Sequence, residues 1–280
     1  MKTAVLTDST AYIPSYMREQ NNIHMVPLNV IFQNEAYREE IDIQAEDFYD
    51  MLHTQDELPK TSQPSTGLVT EKIEELARDF DAVVAIHLSS GISGTYQGTI
   101  TAGNMVDDVE VHVFDSESSC FVQGFYVLEA AEMANNGATP QQILARLEEM
   151  KKSINAYFMV DDLTNLYKGG RLSGAQKIVG SLLQVKPVLH FVDKKIVPFE
   201  KIRTRKKALK RLLLLFEEDV DETDVVKATV IHGNCHEDAE GIKKELESRY
   251  PNTEVVISYF GPVIGTHVGE GAIGLGWYKK

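Results

Sequence analysis

Twelve residues, His87 to Gly98 (HLSSGISGTYQG), set Ser89, Ser90, Ser93 and Thr95 among three glycines directly after the apolar run AVVAI. Two chemistries suit hydroxyls placed where a strand ends and a helix begins. In the first, Ser93 is the nucleophile of an acyl transfer. That chemistry asks for a G-x-S-x-G elbow, and Gly91-Ile92-Ser93-Gly94-Thr95 carries threonine in the fifth position. It also asks for a histidine and an orienting carboxylate. In the second, the stretch holds an anion. Glycines let the backbone approach a ligand closely, and the start of a helix favours negative charge. A well-capped, purely structural turn would show the same composition.

A second hydroxyl-rich stretch, KTSQPS, runs from Lys60 to Ser65 and is restrained by Pro59 and Pro64. It reads as a loop, either solvated or at a site. In a parallel sheet, ligands collect at the carboxyl ends of the strands. Asp8-Ser9, Ser93 and Asp115-Ser116 all follow predicted strands, and one shared site there is the expectation. Gly269, Gly271 and Gly274 match G-x-G-x-x-G, but the chain ends six residues later. No room remains for the helix, second strand and acidic residue of a dinucleotide site. His267, just before them, suits either a core histidine or a donor to a ligand head group. His232, Cys235 and His236 offer metal-ligand types without a companion cluster, so no metal is expected. Arg203, Arg205, Lys206, Lys207, Lys210 and Arg211 form one basic cluster. It fits a solvated face, an acidic partner or an anionic membrane surface. Arg171, within GGRLSG, could join that surface or serve the ligand.

These residues sit in an acidic chain of 280 residues, with 28 basic and 42 acidic side chains and a net charge of −14. Such a balance repels phosphate backbones, so no nucleic-acid partner is expected. Hydrophobic residues make up 43%, enough for a packed core. The two cysteines, Cys120 and Cys235, are widely spaced, and the N-terminus MKTAVLTDST turns polar at Thr7. Together they predict a cytoplasmic protein without a secretory leader. No apolar run is long enough to span a membrane.

The elements that must position these residues alternate. Strands are predicted at 3–7, 23–32, 82–88 and 109–116. Helices are predicted at 45–55, through 71–78 behind a Ser65 or Thr66 cap, from Thr95, near 120–135 and at 139–152. Alternation of this kind implies a parallel, doubly wound, Rossmann-like sheet. After about residue 160 the texture changes. Residues 186–203 read as a hairpin turning at Asp193-Lys194, 204–219 as a basic amphipathic helix, and 228–261 as a βαβ unit. The tail is glycine-dense. The expected fold is α/β, with an N-terminal domain over 1–160, a second mixed α/β domain over 161–280, and a ligand between them.

Taken together, TDST, KTSQPS, SSGISGTYQ, FDS, KGGRLSG, KPVL, RTRKKAL and HVGEGAIG resemble the motifs of the DegV family, in its order, over about residues 3–279. The resemblance implies a non-catalytic carrier in lipid transport or fatty acid metabolism. It implies a long-chain fatty acid, such as palmitate, buried between two α/β domains, with no cofactor beyond that ligand. In some bacteria similar proteins present the fatty acid to a fatty-acid kinase, which converts the carboxylate to an acyl phosphate. By the same resemblance Thr61 and Ser93 contact the carboxylate and His267 lies near it, with Ser62, Gly94 and Thr95 beside them. Arg171 and Arg203 match basic positions facing the kinase or an anionic membrane surface. A sixteen-carbon tail would contribute ~12 kcal/mol at ~0.8 kcal/mol per carbon before ordering costs. On that arithmetic the head group needs orientation only, and no buried arginine is required. A serine hydrolase or esterase using Ser93 and His267 is the alternative.

Overall fold

A computed structural model describes residues 1–54, 57–174 and 185–280. The first sheet contains β1 (Thr3–Asp8), β2 (Ile23–Val26), β6 (Ala82–His87) and β7 (Glu110–Asp115), ordered β2-β1-β6-β7 and parallel throughout. β1 and β6 are buried along their whole length, which is why both read as unbroken apolar runs. Their side chains alternate between two layers. Val5, Val84 and Ile86 face α5 (Cys120–Asn135) and α6 (Pro140–Met150). Leu6, Val83 and Ala85 face α3 (Thr66–Leu76) and α4 (Thr95–Gly103). Local signals set the helix starts. Ser65 accepts from the Leu68 N–H, and Thr139 and Gln142 complete a capping box.

The run 23–32, expected as one strand, is two. The chain leaves β2 at Pro27, which has no N–H to continue the ladder, and re-enters extended structure in β3 (Asn29–Phe32). β3 is the centre of a small antiparallel sheet with β4 (Glu35–Arg38) and β5 (Lys60–Ser62). KTSQPS is therefore not all loop. Its first three residues are an edge strand, with Thr61 opposite Val30 and Ser62 opposite Asn29. Two helices flank this region, α1 (Ser15–Gln20) and α2 (Ala45–Thr54). Gln55, expected in the second, lies outside the described residues.

The second sheet holds β8 (Asn155–Met159), β9 (Val188–Val192), β10 (Lys195–Glu200), β11 (Val226–His232), β12 (Thr253–Tyr259) and β13 (Ile273–Lys279), in the order β10-β9-β8-β13-β11-β12. Among its described strands β11 and β12 alone pair in parallel; they belong to the predicted βαβ unit. Asp193 and Lys194 both take positive φ, 47° and 69°, the conformation of a two-residue hairpin turn. α8 (Arg205–Asp219) and α9 (His236–Arg249) cover one face with a large apolar core. The remaining short helices are α7 (Thr164–Lys168) and α10 (Pro262–Val268). The glycine-dense tail is ordered structure, namely α10 and the central strand β13. Pro262 suits the first turn of α10, and Trp277 on β13 is buried with its indole N–H donating to Asp219 at 2.8 Å. The GGRLSG turn follows α7, while Ala175 and Gln176 beyond it lie outside the described residues.

Candidate functional site

One face of the second sheet, together with β5, α10 and the loops after β6 and β7, encloses a largely apolar cavity of about 790 Å³, the open space at its mouth included. Phe158 of β8, Ile231 of β11 and Gly274 of β13 contribute from the second sheet. Leu88, Ile92 and Val122 contribute from the first domain's loops and α5. Thr61, Ser62, Ser93, Arg171 and His267 also line it, and contacts among them and their neighbours draw them together.

Thr61 comes from β5 and His267 from α10. The Thr61 Oγ1 and His267 Nε2 are 2.9 Å apart. α10 is seated deeply: all of its residues are buried, and a side chain at Gly265 would press on Phe48 and the Tyr49 hydroxyl. Burial, and then the nearby Arg171 charge, push the His267 pKa down to about 4, so the ring is neutral at neutral pH. Its Nδ1 has no hydrogen-bond partner among the described residues. Arg171 donates from Nε to the Ile92 carbonyl at 3.3 Å and from Nη1 to the Gly169 carbonyl at 2.6 Å. It makes no carboxylate ion pair among the described residues, and burial lowers its pKa. A half-buried guanidinium therefore borders the cavity.

Ser93 sits in the turn before α4. Its Oγ accepts from the Thr95 N–H at 3.3 Å and shares a 2.9 Å hydrogen bond with the Thr95 hydroxyl. Thr95 and Gly94 are one step behind the cavity wall: Thr95 is buried, and a side chain at Gly94 would overlap that of Gln63. Ser62 accepts from the Asn29 side chain at 3.2 Å. Ser89 and Ser90 build the turn. Ser89 donates to the Lys194 carbonyl at 2.6 Å, and Ser90 donates to Asp115 at 2.5 Å. Gln63, Ser118 and Ser119 also line the cavity. The sequence reading missed them, although Gln63 lies inside KTSQPS and the serines inside the hydroxyl-rich FDSESSC.

Asp8-Ser9 and Asp115-Ser116, expected at the same site, do not line the cavity; the structure employs them elsewhere. Asp8 accepts from His87 at 2.9 Å, from the Leu88 N–H and from Thr10. Burial alone would raise its pKa, but the His87 and Thr10 interactions outweigh it and hold the carboxylate low. Ser9 donates to the buried Glu39 at 2.6 Å. Asp115 pairs with Lys194 at 3.0 Å. These carboxylates are held by structural partners because an unpaired buried charge is costly.

No hydrogen bond joins Ser93 to His267; the histidine faces Thr61 and the serine faces Thr95. Among the described residues no group of three His, Cys, Asp or Glu side chains could hold a metal. His232 and His236 approach each other at 3.4 Å. The basic cluster on α8 is partly neutralised: Arg205 pairs with Asp161 and Asp238, and Arg211 with Glu200 and Glu218. Arg203, Lys206, Lys207 and Lys210 are exposed. Among the described residues no helix is long and apolar enough to cross a membrane.

The DegV family model matches residues 2–280. The DegV protein of Bacillus subtilis is 56% identical over 281 residues, covering all of both chains. The crystal structure of that DegV, described as a fatty acid binding protein, matches with a TM-score of 0.96 over all of both chains. A fatty-acid-binding DegV family protein from Thermus thermophilus matches at 0.93 with 28% identity, again over all of both chains. A stearic-acid-binding protein from Eubacterium ventriosum matches at 0.88 with 26% identity, over 99% of this chain and 98% of the other.

Proposed function

The chain belongs to the DegV family, and on that premise we propose that it binds a long-chain fatty acid, such as palmitate, in the cavity against its second sheet and carries it chemically unchanged. The carrying observation is a cavity with apolar walls that also displays Thr61, Ser93, His267 and Arg171. Fatty acid binding by its structural relatives supports the same reading. The tail supplies affinity through buried methylenes, and the polar residues orient the carboxylate. The neutral His267 carries its proton on Nε2, where Thr61 offers an acceptor, rather than on Nδ1, where none is found. Thr61 then receives that proton's bond and turns its own hydroxyl hydrogen to the carboxylate. The Thr95 hydroxyl does the same for Ser93 by donating to its Oγ. Arg171, held by the Ile92 and Gly169 carbonyls, lends the head-group end of the cavity a positive potential rather than a tight ion pair.

Neutral donors leave a carboxylate oxygen available to attack a phosphorus atom. The carrier thus suits presentation of its ligand to a fatty-acid kinase, with Arg203 and the neighbouring lysines as an electrostatic docking face toward the kinase or an anionic membrane. The absence of a Ser93–His267 hydrogen bond disfavours ester hydrolysis. Mass spectrometry of lipid extracted from the purified protein tests the reading. A bound fatty acid is expected. An empty protein that turns over acyl esters, with turnover lost in Ser93→Ala, would refute it.

A further inference from the structure

The turn after α7 contains a glycine that backbone conformation does not require. Gly169 has φ −74° and ψ −9°, which any residue adopts. Its neighbour Gly170, by contrast, has φ +70°. At Gly169 the constraint is space. A Cβ there would stand 2.9 Å from His267 Cε1 and closer still to Nδ1, with the Asn165 carbonyl oxygen at 3.0 Å. The imidazole occupies the volume that a side chain would need. On the other side of the ring, Nε2 meets Thr61 at 2.9 Å. Among the described residues Nδ1 has no polar partner to fix it, so on that side contact with the glycine limits the ring. The Gly169 carbonyl also accepts from Arg171 at 2.6 Å. One residue thus borders both the imidazole and the guanidinium at the cavity.

We propose that Gly169 is the positioning residue of the head-group site: by lacking a side chain it seats the His267 ring against Thr61. The proposal rests on the fatty-acid reading for its consequence, and on sterics for its cause. A methyl group at position 169 displaces the ring, breaks the bond to Thr61 and frees the Thr61 hydroxyl from its fixed orientation.

The test is a double-mutant cycle on the full chain, using Gly169→Ala, His267→Ala and the pair, with palmitate affinity and melting temperature as readouts. Gly169→Ala is expected to weaken palmitate binding about tenfold, the worth of a hydrogen bond to a charged group. In the His267→Ala background the same substitution should cost little further, since only the lighter contact with the Asn165 carbonyl is left. If Gly169→Ala fails to fold, the double variant should fold, because the missing ring makes room for the methyl. Equal loss of affinity in both backgrounds, or failure of both to fold, overturns the proposal. A crystal structure of Gly169→Ala gives a second readout that needs no ligand. A His267–Thr61 distance unchanged from 2.9 Å overturns the proposal, and a separated pair supports it. Failure of the parent protein to bind palmitate would count against the fatty-acid reading, while this distance would still decide the role of Gly169.

Discussion

His267 Nε2 stands 2.9 Å from Thr61 Oγ1, a contact that spans 206 positions of sequence and joins the C-terminal helix α10 to the edge strand β5. It ties the last ordered helix to a sheet that the N-terminal half builds. In the proposed reading the ring donates to the threonine, whose own hydroxyl hydrogen is then free for a ligand.

Removing either donor hydroxyl should weaken binding without unfolding the protein. Thr61→Val and Ser93→Ala are each expected to lower fatty-acid affinity by roughly ten- to a hundredfold, the range for a hydrogen bond to a charged acceptor. The Ser93→Ala melting temperature should stay close to the parent's, whereas Thr61→Val also strips the buried His267 Nε2 of its partner and should lower it by a few degrees, roughly the cost of one orphaned polar atom. Calorimetry with palmitate makes the comparison, and unchanged affinity in both variants counts against the assignment.

His267 should not titrate near neutral pH. Its pKa is pushed down to about 4 by burial and then by Arg171. Between that value and the ordinary 6.5 the unfolded chain binds a proton that the folded protein refuses. Its contribution to stability is therefore lost as pH falls through that window. An NMR titration should show a flat His267 imidazole signal from roughly pH 6 to 8. A midpoint near 6.5 would contradict the neutral-ring account.

Glu39 should give the opposite slope. Burial raises its pKa to about 8, despite hydrogen bonds from Ser9, the Val263 N–H and Tyr12. The folded protein holds a proton that the unfolded chain releases above 4.5. Stability from this group is therefore present at low pH and lost as pH rises toward about 8. Glu39→Gln removes the titration. Its melting temperature should change less between pH 4.5 and about 8, the two ends of that loss, than the parent's. Identical pH profiles would show that Glu39 does not carry the effect.

Arg203 should govern docking rather than ligand binding. It is exposed at the start of the basic helix region, in a chain of net charge −14. Arg203→Ala is expected to weaken association with phosphatidylglycerol vesicles at low salt, with the difference fading at high ionic strength. Palmitate affinity should not move. Vesicle binding identical to the parent's at low salt would remove Arg203 from the docking face.

Much of this fold is written locally. The buried strands β1 and β6 announce themselves as apolar runs, and the Ser65 and Thr139 caps mark their helices. The hairpin turn at Asp193-Lys194 is equally plain. What escapes local reading depends on distant partners. Lys60–Ser62 looks like loop because it is three residues long and becomes a strand only beside β3. The tail looks irregular because its glycines divide between a turn, where Gly269 and Gly271 take positive φ, and close packing at Gly265 and Gly276. At the site, the hydroxyl-rich motifs point to Thr61 and Ser93, but Asp8 and Asp115 share the same strand ends and are spent on structural pairs. Composition cannot separate a carboxylate that holds a loop from a hydroxyl that faces a cavity. Nor can it show that Gly169 is small because a histidine from the far end of the chain needs its space.

The most direct measurement is a crystal structure of the protein with its bound fatty acid. The account predicts the carboxylate within hydrogen-bond distance of both Thr61 and Ser93, beside Arg171, with the acyl chain running through the cavity over Gly274. A carboxylate out of reach of both hydroxyls, or a chain lying outside that cavity, would contradict it.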